Sequence, residues 1–172
     1  AYEAARILIM PAAKIAKGIG SFLGLAHRLQ LLGTIGNVRY VNDSKATNVD
    51  ATTKALAAYD RIYWIAGGRA KEGGFDALAP FMPRVMQAFL IGEAAPALAQ
   101  WLEGRARHVT VGTMERAVAE AHAMAQRDRK GGVVLLSPAC ASFDQYPNFE
   151  ERGRHFTQLV AKLGSIDMGD RA

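Results

Sequence analysis

Five short runs rich in β-branched and aromatic residues punctuate the chain: Val38-Arg39-Tyr40-Val41, Ile62-Tyr63-Trp64-Ile65, Ala88-Phe89-Leu90-Ile91, His108-Val109-Thr110-Val111 and Val133-Val134-Leu135-Leu136. Three of them are apolar on both faces, which suits strands covered by helices on each side of a parallel sheet. Helical patterns fill the intervals. Strand–helix alternation requires right-handed βαβ crossovers and predicts an α/β layered fold. The expectation is a mostly parallel sheet with helices on both faces, preceded by a short helical segment.

The capping chemistry supports this reading. Asp50 is expected to cap a helix with Ala51, Ala55 and Ala58 on one stripe, and Thr113 one carrying Met114, Ala117, Val118 and Ala121. Asn148 precedes a third helix, with Glu150 and Glu151 suited to the positive helix end and Phe149, Phe156, Val160 and Leu163 on one face. Residues 1–32 read as helical throughout, with Pro11 in a first turn and Ile15, Ile19 and Phe22 at helical spacing. The tail from Ser165 to Ala172 is expected to fray.

Composition narrows the class. With 172 residues, half of them hydrophobic and 22% charged, the chain is no disordered segment and is long enough for one core. The longest apolar stretch, residues 7–13, is far short of a bilayer span, and no export signal is evident. A lone cysteine, Cys140, excludes an internal disulfide framework and fits a cytoplasmic location. A formal charge of +5 favours anionic partners in general. Its one dense cluster, Arg127-Asp128-Arg129-Lys130, reads as a solvated turn.

In an open parallel sheet ligands bind beyond the carboxyl ends of the strands, so the loops there carry the information. They are Asn42-Asp43-Ser44-Lys45-Ala46-Thr47-Asn48, residues 66–74 with two Gly-Gly pairs and Lys71, and residues 137–148 with Ser137, Ser142 and the helix start at Asn148. Lysines, hydroxyls, glycines and exposed helix amides suit a small polyanionic ligand; ordinary turn chemistry accounts for the same residues. His108, His122 and His155 share no metal-ligand spacing, and no metal site is expected. Cys140 reads as a packed residue, and Trp64 and Trp101 as core or interface aromatics. No G-x-x-x-x-G-K-[ST] loop is present.

Three motifs carry a resemblance: V-N-D-S-K-A-T-N at residues 41–48, A-G-G-R-A-K at 66–71, and L-S-P-A-C-A-S-F-D-Q-Y-x-N-F-E-x-R-G at 136–153. Together with G-L-A-H-R at 24–28 they resemble the Mur ligase family, over residues 11–163, and within it the members that add D-glutamate. The resemblance implies a Rossmann-like C-terminal amino-acid-binding domain over residues 33–164. Residues 1–32 would be the helical end of a central ATPase domain. The missing N-terminal and central domains then become partners and bind most of the ATP and magnesium.

The implied reaction activates the carboxylate of UDP-N-acetylmuramoyl-L-alanine with ATP as an acyl phosphate, which the D-glutamate amine attacks. By motif position Thr47 and Lys71 would hold one D-glutamate carboxylate, and Ser142 with the Phe149 amide the other. Lys45 would serve the amino acid or the phosphates in a catalytic role. Asp43, Arg28 and His27 would close over ATP. Many relatives carry an acidic residue between the glycine pair and the lysine, where this chain has Arg69-Ala70. The resemblance implies no membrane or nucleic-acid partner and no activity for this stretch alone. The competing readings are a freestanding Rossmann-like module binding nucleotide or nucleic acid, which lacks the expected Lys/Arg stripe, and a folate-type polyglutamate ligase, which should lack the long serine-containing motif.

Overall fold

A computed structural model describes residues 24–164 together with Pro11, Lys14, Ile15 and Asp167. Among these residues six strands form one sheet: β1 (Gln30–Ile35), β2 (Val38–Asn42), β3 (Ile62–Gly67), β4 (Val85–Ile91), β5 (His108–Gly112) and β6 (Gly132–Leu136). Their order is β1-β2-β6-β3-β4-β5. All neighbours run parallel except β1, which is antiparallel to β2 at one edge. The α/β expectation and all five expected strands are present.

The sixth strand is a correction. Residues 24–32 were expected to be helical, yet 24–29 form turns and irregular backbone and 30–32 open β1, so the expected boundary between residues 32 and 33 falls inside this strand. Ile35 pairs with Val38 across the two-residue connection Gly36-Asn37, and Gly36 supplies the left-handed backbone (φ 62°) that such a hairpin turn needs. The Leu31-Leu32 pair reads equally well on a helix face; the hairpin turn decides. Upstream, Lys14 and Ile15 are helical just after Pro11, and Ile15 is buried. Ile19 and Phe22 lie outside the described residues. So does the tail, except Asp167, whose backbone bridges Thr34 of β1.

Among the described elements, four helices and a 3-10 segment cover the two faces of the sheet. On one face α1 (Val49–Ala58), the 3-10 segment Asp76–Arg84 and α2 (Ala95–Leu102) press Leu56, Leu78 and Leu98 onto Val41, Trp64, Leu90 and Leu135. On the other, α3 (Met114–Arg127) and α4 (Phe149–Ala161) press Val118, Ala121, Phe156 and Val160 onto Tyr40, Tyr63, Phe89 and Val134. Pro80 and Pro83 remove two backbone donors, which keeps Asp76–Arg84 from propagating as an α-helix.

Thr113 and Asn148 cap α3 and α4 as expected. The cap of α1 is a correction: Asn48, not Asp50, accepts the Ala51 N–H at 2.9 Å, and Asp50 sits in the first turn. The buried stripe of α1 is Thr52, Ala55 and Leu56, with Ala58 exposed, because starting the helix at Val49 rotates that stripe onto the sheet.

The position of β6 creates the crevice. It lies between β2 and β3, and its connector turns to the α3/α4 face while theirs turn to the α1 face. Neighbouring connectors that diverge in this way leave an opening at the carboxyl edge of the sheet.

Candidate functional site

The first connector divides its residues between building and facing outward. Asn42 is fully buried: its amide donates to the Gly153 carbonyl (2.9 Å), Thr157 (3.1 Å) and His27 Nδ1 (3.1 Å), and its Oδ1 accepts the Ser44 N–H. Asp43, 5% exposed, accepts from the Leu29 N–H (3.1 Å) and the Ser137 hydroxyl (2.8 Å), tying the first connector to the third. Burial pushes its carboxyl above the usual carboxylate range, against the pull of those two hydrogen bonds and of Arg28. Ser44 donates to the Phe149 carbonyl at 2.8 Å. Lys45 is exposed, with Nζ 3.8 Å from the centroid of the Phe149 ring. Thr47 is half-buried, and no hydrogen bond occupies its hydroxyl among the described residues.

A buried arginine that sequence reasoning missed joins these loops. Arg152, 1% exposed on α4, donates to the Ser44 hydroxyl (3.0 Å), the Ser44 carbonyl (2.8 Å) and the Cys140 carbonyl (3.1 Å). Burial lowers its pKa to about 10, so the guanidinium stays charged at neutral pH. Its sequence signal was available: Arg152, Phe156 and Val160 follow one another at i, i+4, i+8 on the buried stripe.

Gly68 and Gly153 are required by close approach. A Cβ on Gly68 would overlap the Ala141 carbonyl, where Arg69 and Ala141 exchange backbone hydrogen bonds at 2.9 Å. A Cβ on Gly153 would overlap the His27 imidazole. His27 is thereby seated edge-on to the Phe149 ring, with its backbone carbonyl accepting from the Lys45 N–H at 2.9 Å. Burial first, then Arg154, lowers the His27 pKa. Arg28 is exposed, and no carboxylate ion-pairs with it among the described residues.

Three connectors line one cleft of about 300 Å³ at the carboxyl edge: Asn48, Val49 and Asp50 from the first, Lys71 to Phe75 from the second, and Ala139 from the third. Lys71 is exposed there, with Asp50 and Glu72 also in the wall. Thr47 and Ser142 are not among its lining residues, so the wall is mixed in charge rather than purely cationic and hydroxylic. Ser142 is buried beside the Arg69–Ala141 bridge; its carbonyl accepts the Gln145 and Tyr146 N–H groups, and its hydroxyl has no partner among the described residues. Phe149 opens α4, so its N–H is one of the four helix amides without an intrahelical acceptor.

Arg69 does not orient Lys71. It pairs with Glu93 at 2.9 Å, both side chains exposed, and lines a second opening of about 440 Å³ with Gly92, Asp144 and Gln145. Cys140 is buried and its thiol is pushed up to about 12, which suits a packed residue. Among the described residues no three His, Cys, Asp or Glu side chains gather as a metal site, and no helix is long and apolar enough to cross a membrane.

Residues 27–140, well over half of the chain, match the family model described as Mur ligase, glutamate ligase domain. The chain belongs to this family. It is 51% identical over 163 residues to the UDP-N-acetylmuramoylalanine--D-glutamate ligase of Phenylobacterium zucineum, covering 95% of this chain and 35% of that relative. To the protein of the same name from Rhizobium meliloti it is 55% identical over 155 residues (90% and 34%), and to that from Rhodospirillum rubrum 53% over 164 (95% and 34%). The chain thus spans about a third of the length of these relatives. This Mur ligase domain therefore has its motifs on the loops that close the carboxyl edge of its sheet.

Proposed function

We propose that this chain is the amino-acid-binding domain of an ATP-dependent ligase that joins D-glutamate to UDP-N-acetylmuramoyl-L-alanine in peptidoglycan synthesis, and that it is inactive without the rest of that enzyme. The observation that carries the reading is the convergence of the three motif-bearing connectors on one edge, with Lys71 in the cleft they share. The identities to relatives named for this reaction favour it over a freestanding nucleotide- or nucleic-acid-binding module.

In this reading Lys71 and Thr47 hold one carboxylate of D-glutamate, and the Ser142 hydroxyl, without a hydrogen-bond partner among the described residues, and the Phe149 N–H hold the other. Fixing both carboxylates aims the amine and supplies catalysis by positioning. Arg28 and Lys45, both exposed and in no carboxylate ion pair among the described residues, fit the phosphates of ATP, which supplies the phosphoryl group that activates the substrate carboxylate. Lys45, held over Phe149, offsets negative charge between the two ligands as phosphate leaves. His27 and Asp43 complete the ATP side; with both Asp43 oxygens engaged, its part is to hold the backbone at Leu29 next to Arg28. The stretch ahead of β1, in this reading, is the end of a central domain that holds most of the ATP and the magnesium.

A chimera carrying this chain in place of the corresponding third of the Rhizobium meliloti relative tests the proposal. D-Glutamate-dependent phosphate release is expected. Lys71→Ala should raise the D-glutamate KM at least about tenfold, a loss of about 1.4 kcal/mol or more, with the ATP KM little changed. A folded chimera that ignores D-glutamate, or an unchanged KM in Lys71→Ala, would overturn it.

A further inference from the structure

At the opposite rim, the starts of β2, β3 and β6 and the end of α1 enclose a second kind of opening. It is a cavity of about 350 Å³ lined by Asn37, Arg39, Tyr59, Asp60, Arg61 and Lys130 among others. Most of its polar groups are already engaged. Arg61 is ion-paired with Asp128 and donates to the Gly131 carbonyl at 3.2 Å. Asp60 lies 3.5 Å from Arg84, and the Asn37 amide is held by the Asp128 and Arg129 carbonyls. Two cations remain. Neither Arg39 nor Lys130 ion-pairs with a carboxylate among the described residues, and both are exposed.

The Arg39 side chain is held in place, and Lys130 is positioned through its backbone. The Arg39 guanidinium lies over the Tyr59 ring, 5.4 Å from its centroid, which limits the rotamers of a long side chain. Lys130 is set by its own N–H, which donates to Asp128 Oδ1 at 3.0 Å, and by the left-handed Gly131 (φ 64°) that follows. Asp128 thus holds the Arg61 side chain and the Lys130 backbone. The wall carries about two uncompensated positive charges, facing a cavity at the small end of the range for ligand sites.

We propose that this cavity binds a phosphate monoester. Such a group carries between about −1.5 and −2 charges at neutral pH, which complements two cations, whereas a carboxylate or phosphodiester brings only one charge. A guanidinium fork pairs bidentately with phosphate oxygens and an ammonium adds a compact charge. The ligase reading uses none of these residues, and β3 alone, six residues at about 3.3 Å each, separates the two rims by roughly 20 Å. That distance exceeds the screening length of about 8 Å at physiological salt, so the sites act independently.

The test is an amide-resolved NMR titration of this chain with inorganic phosphate, and with acetate and a dinucleotide phosphodiester as comparisons. Saturable shifts at Asn37, Arg39, Tyr59, Lys130 and Gly132 are expected, with a Kd on the order of 1 mM, separate from any at the Arg28–Lys45 rim. Arg39→Gln and Lys130→Gln should each weaken phosphate about tenfold, while Lys71→Ala leaves it unchanged. Both positions are exposed, so unchanged spectra elsewhere certify the fold of the variants. Shifts that fail to saturate, that spread over the whole basic surface, that acetate or the phosphodiester reproduces at equal concentration, or that persist in the two variants would each overturn the site.

Discussion

Asn42, Asp43 and Ser44 are spent on holding loops together, while Lys45 and Thr47 in the same motif turn outward. The sequence marks all five as one polar cluster; only the fold separates them, because the chain turns at Ser44-Lys45, where the Ala46 N–H donates to the Asp43 carbonyl at 2.9 Å. Arg152 was overlooked for the converse reason, since an arginine in a helix is most often a surface residue. The strain at Asp43 yields a pH prediction. Burial raises its pKa above 3.8 in the folded state, so the native protein binds that proton more readily than the unfolded chain. The resulting stability is present in full below 3.8 and is lost as pH rises through the native pKa. Asp43→Asn keeps an oxygen for the Leu29 N–H and has no carboxyl to ionise. In urea unfolding across this range, wild type is expected to lose stability relative to the variant as pH rises, levelling off beyond the native pKa. A wild type that gains on the variant would mean that its hydrogen bonds outweigh burial.

At the scale of elements, caps and strands were legible where a single residue type had one task. Thr113 and Asn148 each stand alone before an apolar-periodic stretch, whereas Asn48 and Asp50 compete and only the backbone decides. The hairpin of β1 was announced by Gly36-Asn37 yet was masked by the helical spacing upstream of it. The α4 cap matters beyond the helix itself. The Asn148 side chain accepts the Glu151 N–H at 2.7 Å and so closes the first turn of the helix that Phe149 opens. Asn148→Ala is expected to cost about 1 kcal/mol, with Asn148→Ser recovering most of it. Urea denaturation followed by circular dichroism checks this. Equal stability of all three would show that water replaces the cap without cost.

For the whole molecule, local pattern predicts layers but not order: nothing in Val133–Leu136 tells that β6 inserts between β2 and β3, since that pairing is decided by contacts far apart in sequence. The insertion has a mechanical consequence. β3 and β6 are bonded on both sides and covered on both faces, and Trp64, Ile65, Val134 and Leu135 are fully buried. β5 pairs with β4 alone among the described strands, and Val109 and Thr110 are exposed. Opening free energies follow such differences, from near zero at exposed edges to the global value in central strands. Native-state hydrogen exchange is therefore expected to show β3 and β6 amides opening only with global unfolding and β5 amides exchanging through smaller openings. The connectors that carry Lys71 and Ser142 are rooted in β3 and β6, so in this arrangement the candidate ligand groups stand on the part of the sheet that opens last. Equal protection in β5 and β3 would mean that the sheet opens as one unit, and burial at its centre would then give those connectors no special rigidity.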